Sequence, residues 1–265
     1  MQQILDFKLE SSQAALWFVG QSGFICKSCD TIVAIDPYLS DSIAKLSPKL
    51  KRIIPVPIEP ADLKTDIFIV THDHLDHLDP ETIAGYRYKD TTKFVAPSLA
   101  CRKLQQLGIK SNNIRTVDVG QSEQIGSVHI KGIYTIPNEP AVVDTAGYLV
   151  RFQNGRSFYH TSDTDLSPLL LAVAPHAEAG LFCINGKWGN MSVEKAVELA
   201  VKVRPRFAIP HHYDIMELNY ENPETFRYLM SYAEPQIRVE ILQIMKPFVW
   251  GSLPLLQKNK RNERQ

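Results

Sequence analysis

Ile67-Phe68-Ile69-Val70-Thr71-His72-Asp73-His74-Leu75-Asp76-His77 is the stretch on which the reading of this chain turns. Its first four residues form an unbroken apolar run, the pattern of a strand buried on both faces. Directly after it, three imidazoles and two carboxylates fall within six residues. A solvated polar loop is the competing account, but a loop has no reason to gather three of the chain's eight histidines against a buried strand. Imidazole with carboxylate is a donor set for zinc, manganese or iron, and zinc takes such ligands at about 2.0–2.2 Å. His72 and His74 are two apart, so in an extended segment they point the same way and can hold one cation. Asp76 and His77 come a turn later, where the chain bends towards a helix at Pro80. They can face a second cation, as two-metal hydrolases require. Asp73 points away between the two histidines and is expected to orient an imidazole.

Working outward, the chain before this stretch reads as short strands. Ala14–Val19, Gly23–Lys27 and Thr31–Ile35 are apolar runs bounded by turn residues, and Asp36-Pro37-Tyr38 stops the third. Residues 40–64 carry Pro48, Pro55, Pro57 and Pro60 and read as a surface loop. Beyond it, Ser98 is expected to cap a helix with Ala100, Cys101, Leu104 and Leu107 on one face. Gly147–Phe152 and Ser157–Tyr159 flank the hairpin signal Asn154-Gly155. Leu181–Ile184 is another buried strand. Ser192 caps a helix with Val193, Ala196, Val197, Ala200 and Val203 on one face, and Phe207–Ile209 is the strand after it. Early strands in hairpins and later strands alternating with helices predict an α/β protein with two sheets and helices packed outside them. One domain over residues 1–265, with a frayed tail from about residue 256, is the expected organisation.

Composition removes several classes of function. Lys and Arg number 29 against 29 Asp and Glu, so bulk electrostatics do not favour a nucleic-acid partner. No apolar run reaches membrane-spanning length, and the start lacks the basic flank and apolar core of an export signal. Four scattered cysteines form no disulfide framework and fit a reducing cytoplasm. Cys26-Lys27-Ser28-Cys29 is a lone pair read as two thiols near a hairpin rather than a redox or zinc motif.

His72-x-His74-x-Asp76-His77, Ser157-Phe-Tyr-His-Thr-Ser-Asp163 and Phe207-Ala-Ile-Pro-His-His212 together resemble the metallo-β-lactamase superfamily, over most of the chain. Within it, Leu16-Trp-Phe-Val-Gly-Gln-Ser-Gly-Phe24, Ile35-Asp-Pro-Tyr38 and Lys246-Pro-Phe-Val-Trp250 are most similar to the branch containing ascorbate-6-phosphate lactonase. The resemblance implies a four-layer αββα sandwich (the metallo-β-lactamase fold) with metal at one edge. It implies metal ligation by His72, His74, Asp76, His77, Asp163 and His212, with Asp163 as the bridging carboxylate. Read without the family, Asp163 follows a strand at a turn, where a carboxylate can sit between two cations. Its alternative is a helix cap, for which Asp165 is better placed. His211 and His212 are adjacent after a strand, so their side chains diverge; the family's Pro-x-His spacing selects His212. His211 is left as a substrate-facing, supporting or packed core residue. His160 is expected to support the strand to Asp163, and His129 and His176 to be structural. Many family members carry a further metal histidine before the bridging aspartate. Residues 133–144 contain none, so Asn138 or Glu139 could supply an oxygen instead.

The expected activity is that of a cytoplasmic metal-dependent hydrolase using a metal-bound hydroxide on a small anionic ester or lactone. One or two divalent ions, zinc or manganese, are the cofactor. A metal lowers the pKa of bound water to about 7, and Asp76 is the catalytic proton handler. Lys187 and Asn190, in a loop before the Ser192 helix, are candidate substrate-binding residues with His211, and the Gln21-Ser22-Gly23 turn can reach the same mouth. A phosphodiesterase acting on a nucleotide or phospholipid-like substrate is the second reading, and a non-catalytic metal-binding protein on the same fold the third. The expected partner is a small molecule, with neither nucleic acid nor membrane; a homo-oligomer is compatible with all three.

Overall fold

The computed structural model describes residues 1–137 and 144–251. Asn138, Glu139 and the tail expected to fray lie outside the described residues. The strands are β1 (Gln13–Gly20), β2 (Gly23–Ser28), β3 (Thr31–Ile35), β4 (Ile67–Ile69), β5 (Lys93–Ala96), β6 (Ile114–Thr116), β7 (Ser122–Ile125), β8 (Val128–Ile133), β9 (Gly147–Phe152), β10 (Ser157–His160), β11 (Ala179–Cys183), β12 (Phe207–His211), β13 (Arg238–Val239) and β14 (Phe248–Gly251). The helices are α1 (Gln2–Leu5), α2 (Pro80–Gly85), α3 (Ser98–Gln106), α4 (Pro168–Val173), α5 (Val193–Val203) and α6 (Pro223–Ala233). They build two seven-stranded sheets, ordered β14-β1-β2-β3-β4-β5-β6 and β13-β12-β11-β10-β9-β8-β7.

Each sheet follows the same plan. β1, β2 and β3 pair antiparallel, after which β3, β4, β5 and β6 run parallel. In the second sheet, β7 to β10 pair antiparallel and β10 to β13 run parallel. Parallel neighbours need crossovers, and α2, α3, α4 and α5 fall in them. The parallel strands of each sheet therefore end at a common edge, which is where the sequence places its chemistry.

Alternation along β1 shows why both faces of the first sheet are buried. Ala14, Leu16 and Phe18 point into the core shared with Tyr148, Val150, Phe158 and Leu181 of the opposite sheet. Ala15, Trp17 and Val19 point outward, into a second core with Phe68, Phe94, Ile83 and Leu104. Ala196 and Leu199 of α5 and Phe226 and Met230 of α6 pack with the second sheet. The result is an α/β sandwich of two mixed sheets flanked by helices.

Two capping expectations change. Pro97 precedes α3, while Ser98 instead gives its backbone N–H and its hydroxyl to the Asp118 carboxylate, each at 2.8 Å. Ser167 caps α4 by accepting from Leu170, whereas Asp165 accepts from the Leu166 N–H and pairs with Lys195. Ser192 caps α5 as the pattern requires. The proline-rich stretch contains two short 3-10 turns, Ser42–Lys45 and Pro48–Leu50. Cys26 and Cys29 are free thiols at the β2–β3 hairpin. Among the described residues, no helix is long and apolar enough to cross a membrane.

Candidate metal centre

Four strand ends deliver the site. Gln21 follows β1, Asp36 follows β3, Ser162 lies just past β10 and His212 follows β12; each is a non-glycine residue with left-handed backbone, φ 57°, 45°, 62° and 62°. That conformation costs a non-glycine residue on the order of 1–3 kcal/mol and turns the chain sharply. It lets polar side chains leave a buried strand and face the sheet edge instead of the core.

The run after β4 is a succession of turns rather than the extended segment its spacing implies. The Leu78 and His77 N–H groups both donate to the His74 carbonyl, at 2.7 and 3.1 Å. His72 Nε2 and His74 Nδ1 nevertheless meet at 2.9 Å. The fold adds residues distant in sequence. His77 Nε2 lies 3.4 Å from Asp163 Oδ1 and 3.6 Å from Asp76 Oδ2. His212 Nε2 lies 3.1 Å from Asp163 Oδ2 and 3.4 Å from Asp76 Oδ2. Two ligand groups of imidazole and carboxylate result, His72–His74–Asp163 and Asp76–His77–His212, and a third, Asp163–Cys183–His212, adds a buried thiol; donor atoms in each lie within 4.8 Å of one another. All six residues expected as ligands are thus brought together.

This arrangement fits a divalent cation. His77 Nε2 is buried without a hydrogen-bond partner, although it faces two carboxylates. Its other nitrogen, Nδ1, is tied to Asp36 Oδ2 at 2.7 Å. An imidazole held through one nitrogen by a carboxylate, presenting the other to a cluster of oxygens and nitrogens, has the form of a ligand prepared for metal. Imidazoles with carboxylates suit zinc, manganese or iron.

Asp36 does what the sequence reading assigned to Asp73. Its carboxylate accepts from the Thr71 N–H at 2.8 Å and the Thr71 hydroxyl at 2.6 Å, and the Thr71 hydroxyl lies 3.0 Å from His72 Nδ1. Asp73 contributes its backbone carbonyl to Lys103. The clue to Asp36 was present in the sequence: like Asp163, it is a carboxylate ending an apolar strand. Gln21 Nε2 donates to Asp76 Oδ2 at 2.7 Å and approaches His212 Nε2 at 3.1 Å. Asn219 braces the far side, 2.9 Å from His212 Nδ1, and donates to Gln21 Oε1 at 3.0 Å. Nothing in the sequence marks Asn219, an isolated amide at the end of the short 3-10 turn Glu217–Asn219.

Two candidate substrate residues are corrected. Lys187 Nζ donates to the Tyr220 carbonyl at 2.9 Å and does not line the cleft. His211 is fully buried, its ring 4.4 Å from His160 and its Nδ1 3.2 Å from the Ser22 hydroxyl. It is still within β12, so alternation sends its side chain between the sheets. His160 supports the loop to Asp163, accepting from the Ser162 N–H at Nδ1 and donating from Nε2 to the Ser22 carbonyl. Asn190 does reach the cleft and donates to Asp163 Oδ2 at 3.1 Å.

Charge compensation organises the cluster. Burial pushes the His212 imidazole down, but Asp163 and Asp76 more than reverse this and bring its pKa up to about 9. His77 is likewise raised well above its ordinary value, by Asp163, Asp76 and Asp36 against burial. Burial raises Asp36, Asp76 and Asp163, yet His77 and, for the latter two, His212 outweigh it and hold all three carboxyls low. His72 falls to about 3, through burial and then the charge of His77.

Cation and protons therefore compete for His77 and His212. The cation must displace protons from raised-pKa groups, so its affinity is expected to climb as pH rises from about 6 to about 8, by up to about tenfold per unit for each proton displaced. Calorimetry in buffers of different ionisation enthalpy measures the release directly; a flat affinity with no proton released would contradict the assignment. A further expectation concerns Asp36→Asn, which weakens the grip on His77 and lowers cation affinity by about 10–100-fold. Competition against a chromophoric chelator reads this, and unchanged affinity would remove Asp36 from the site.

Residues 31–213 match the family model of the beta-lactamase superfamily domain. A metal-dependent hydrolase of Thermoplasma acidophilum is 27% identical over 204 residues, 74% of this chain and 82% of that protein. One from Archaeoglobus fulgidus is 25% identical over 238 residues, 85% of this chain and 94% of that protein. Among solved structures, a metallo hydrolase of Ignicoccus hospitalis superposes with TM-score 0.73 at 19% identity, covering 91% of this chain and all (100%) of that one. An isothiocyanate hydrolase from Delia radicum gut bacteria gives TM-score 0.73 at 15% identity, covering 90% and 100%.

Proposed function

This chain belongs to the beta-lactamase superfamily and is a metal-dependent hydrolase of the metallo-β-lactamase fold; from that premise we propose that it hydrolyses a small ester or lactone at the edge cluster, with zinc or manganese as cofactor. The observation that carries this reading is the convergence of His72, His74, Asp76, His77, Asp163 and His212 into two ligand groups opening on one cleft of about 470 Å³. A divalent cation held there supplies Lewis-acid activation of water and of the scissile carbonyl.

The chain's own residues supply the rest. Asp76 lines the cleft and is partly exposed, so it can take a proton from the attacking water and return it to the leaving oxygen. Gln21 holds one oxygen of that carboxylate through its 2.7 Å hydrogen bond, which fixes the plane in which Asp76 meets substrate. Asn190 holds Asp163 from the other side. The volume accommodates a small molecule.

An ester or lactone is favoured over a phosphodiester because no Lys or Arg lines the cleft among the described residues. A phosphate group would find no side-chain cation there to pair with. The same observation counts against the anionic character expected of the substrate. Four free thiols support a reducing compartment. The test is metal analysis of protein purified without chelator, followed by a panel of esters, lactones and phosphodiesters before and after metal removal. Carbonyl substrates should be turned over only by the metal-loaded protein. Preferential turnover of phosphodiesters, or activity indifferent to chelation, would overturn the proposal.

A further inference from the structure

The cleft has two unlike parts. Its floor is the polar cluster. Its rim is built from Ile43, Leu46 and Leu50, in the segment with the two 3-10 turns, with Met216 packed against Ile43 and Leu50, and from Trp188 and Leu218. Leu46, Trp188 and Leu218 are 69%, 51% and 41% exposed, so large apolar groups stand in water around the opening. Isolated exposed apolar residues are ordinary, but a ring of them continuous with a polar site marks a ligand-binding groove.

The rim is fixed rather than loose. The Ile53 N–H donates to the Ile215 carbonyl at 2.9 Å, and Arg52 pairs with Met216 in an isolated bridge. The Arg52 guanidinium is spent on the Tyr38, Ile54 and Pro55 carbonyls. Lys45 is engaged with Glu81 and Lys187 with Tyr220. An anionic substituent at the rim would lose water and meet no Lys or Arg among the described residues that line the cleft.

We propose that the substrate carries an uncharged alkyl or aryl group, which seats between the Ile43–Leu50 wall and Trp188–Leu218 while its carbonyl reaches the cluster. This rests on the hydrolase reading above and narrows it to neutral, apolar-tailed esters or lactones. Burying a methylene is worth about a threefold to fourfold gain. For the metal-loaded protein, kcat/KM for p-nitrophenyl esters should therefore rise about threefold per methylene from acetate to octanoate, until the groove is filled. A terminal carboxylate on the same acyl chain should lower it at least tenfold. Leu218→Arg places a cation on the exposed rim and should shift preference towards the carboxylate-ended esters.

A binding measurement separates this inference from the hydrolase reading. Of the three tryptophans, Trp17 and Trp250 are buried, so exposed Trp188 reports on the groove. Hexanol should blue-shift the emission and adipate should not, with the shift lost in Trp188→Phe. If no ester is hydrolysed but hexanol still shifts Trp188, the proposed reaction fails and the apolar groove stands. A flat chain-length series, a preference for carboxylate-ended esters, or a Trp188 response to adipate alone would overturn the inference.

Discussion

Asp163→Ala is expected to leave less than about one-tenth of the wild-type cation content and to lower hydrolysis by at least about 10³-fold. Asp163 completes the group with His72 and His74, and its two oxygens also face His77 at 3.4 Å and His212 at 3.1 Å. Asp163 thus faces both halves of the cluster. Its removal takes away a ligand and the main counter-charge of two buried imidazoles whose pKa values it raises. Breaking a buried ionic arrangement from one side costs about 3–5 kcal/mol, so the cation-free variant should also melt earlier than the cation-free parent. Asp163→Asn separates charge from shape: it keeps the hydrogen-bonding outline and should lose the cation almost as completely. Elemental analysis of both variants beside the parent checks this. Full cation content in Asp163→Ala would show that Asp163 is not a cation ligand.

Asp76→Asn should behave differently. Hydrolysis is expected to fall by about 10²–10⁴-fold, the range for loss of a general acid–base group. At least one cation should stay bound, because His72, His74 and Asp163 form a group that does not include Asp76. The comparison that matters is rate per bound cation. If that rate is unchanged and only occupancy drops, Asp76 is a ligand and nothing more. If both rate and occupancy survive, its 2.7 Å contact with Gln21 positions a carboxylate with no part in the reaction.

The cluster at 72–77 was legible because its members are neighbours in the chain, and local density needs no fold to be noticed. Asp163 and His212 were legible at one remove, as polar residues ending apolar strands in segments that resemble a known family. Asp36 has the same local signature and lies in the Ile35–Tyr38 segment of the resemblance, but no role was assigned to it, so its bond to His77 across 41 positions went unread. Asn219 carries no local signal at all; its contact with Gln21 spans 198 positions. The proline-rich stretch was read as plain surface loop, although it supplies one wall of the cleft. Lys187 was misplaced as a substrate residue, and of the three places left open for His211 the structure takes the packed one. A lysine near a helix N-terminus can point in many directions, and here it points to Tyr220. Of two adjacent histidines, the one still inside the strand goes to the core.

Apolar periodicity, hairpin turns and a dense run of donors suffice to dictate two sheets, their outer helices and a cation-seeking edge, because each of these is a property of residues close together in the chain. Which carboxylate orients His77, which amides brace Asp76 and His212, and whether the mouth is charged or apolar depend on strand ends and loops meeting across the sandwich. Those contacts arise only when both sheets are packed, since burial is what makes a paired carboxylate, a held imidazole or an uncovered leucine matter energetically.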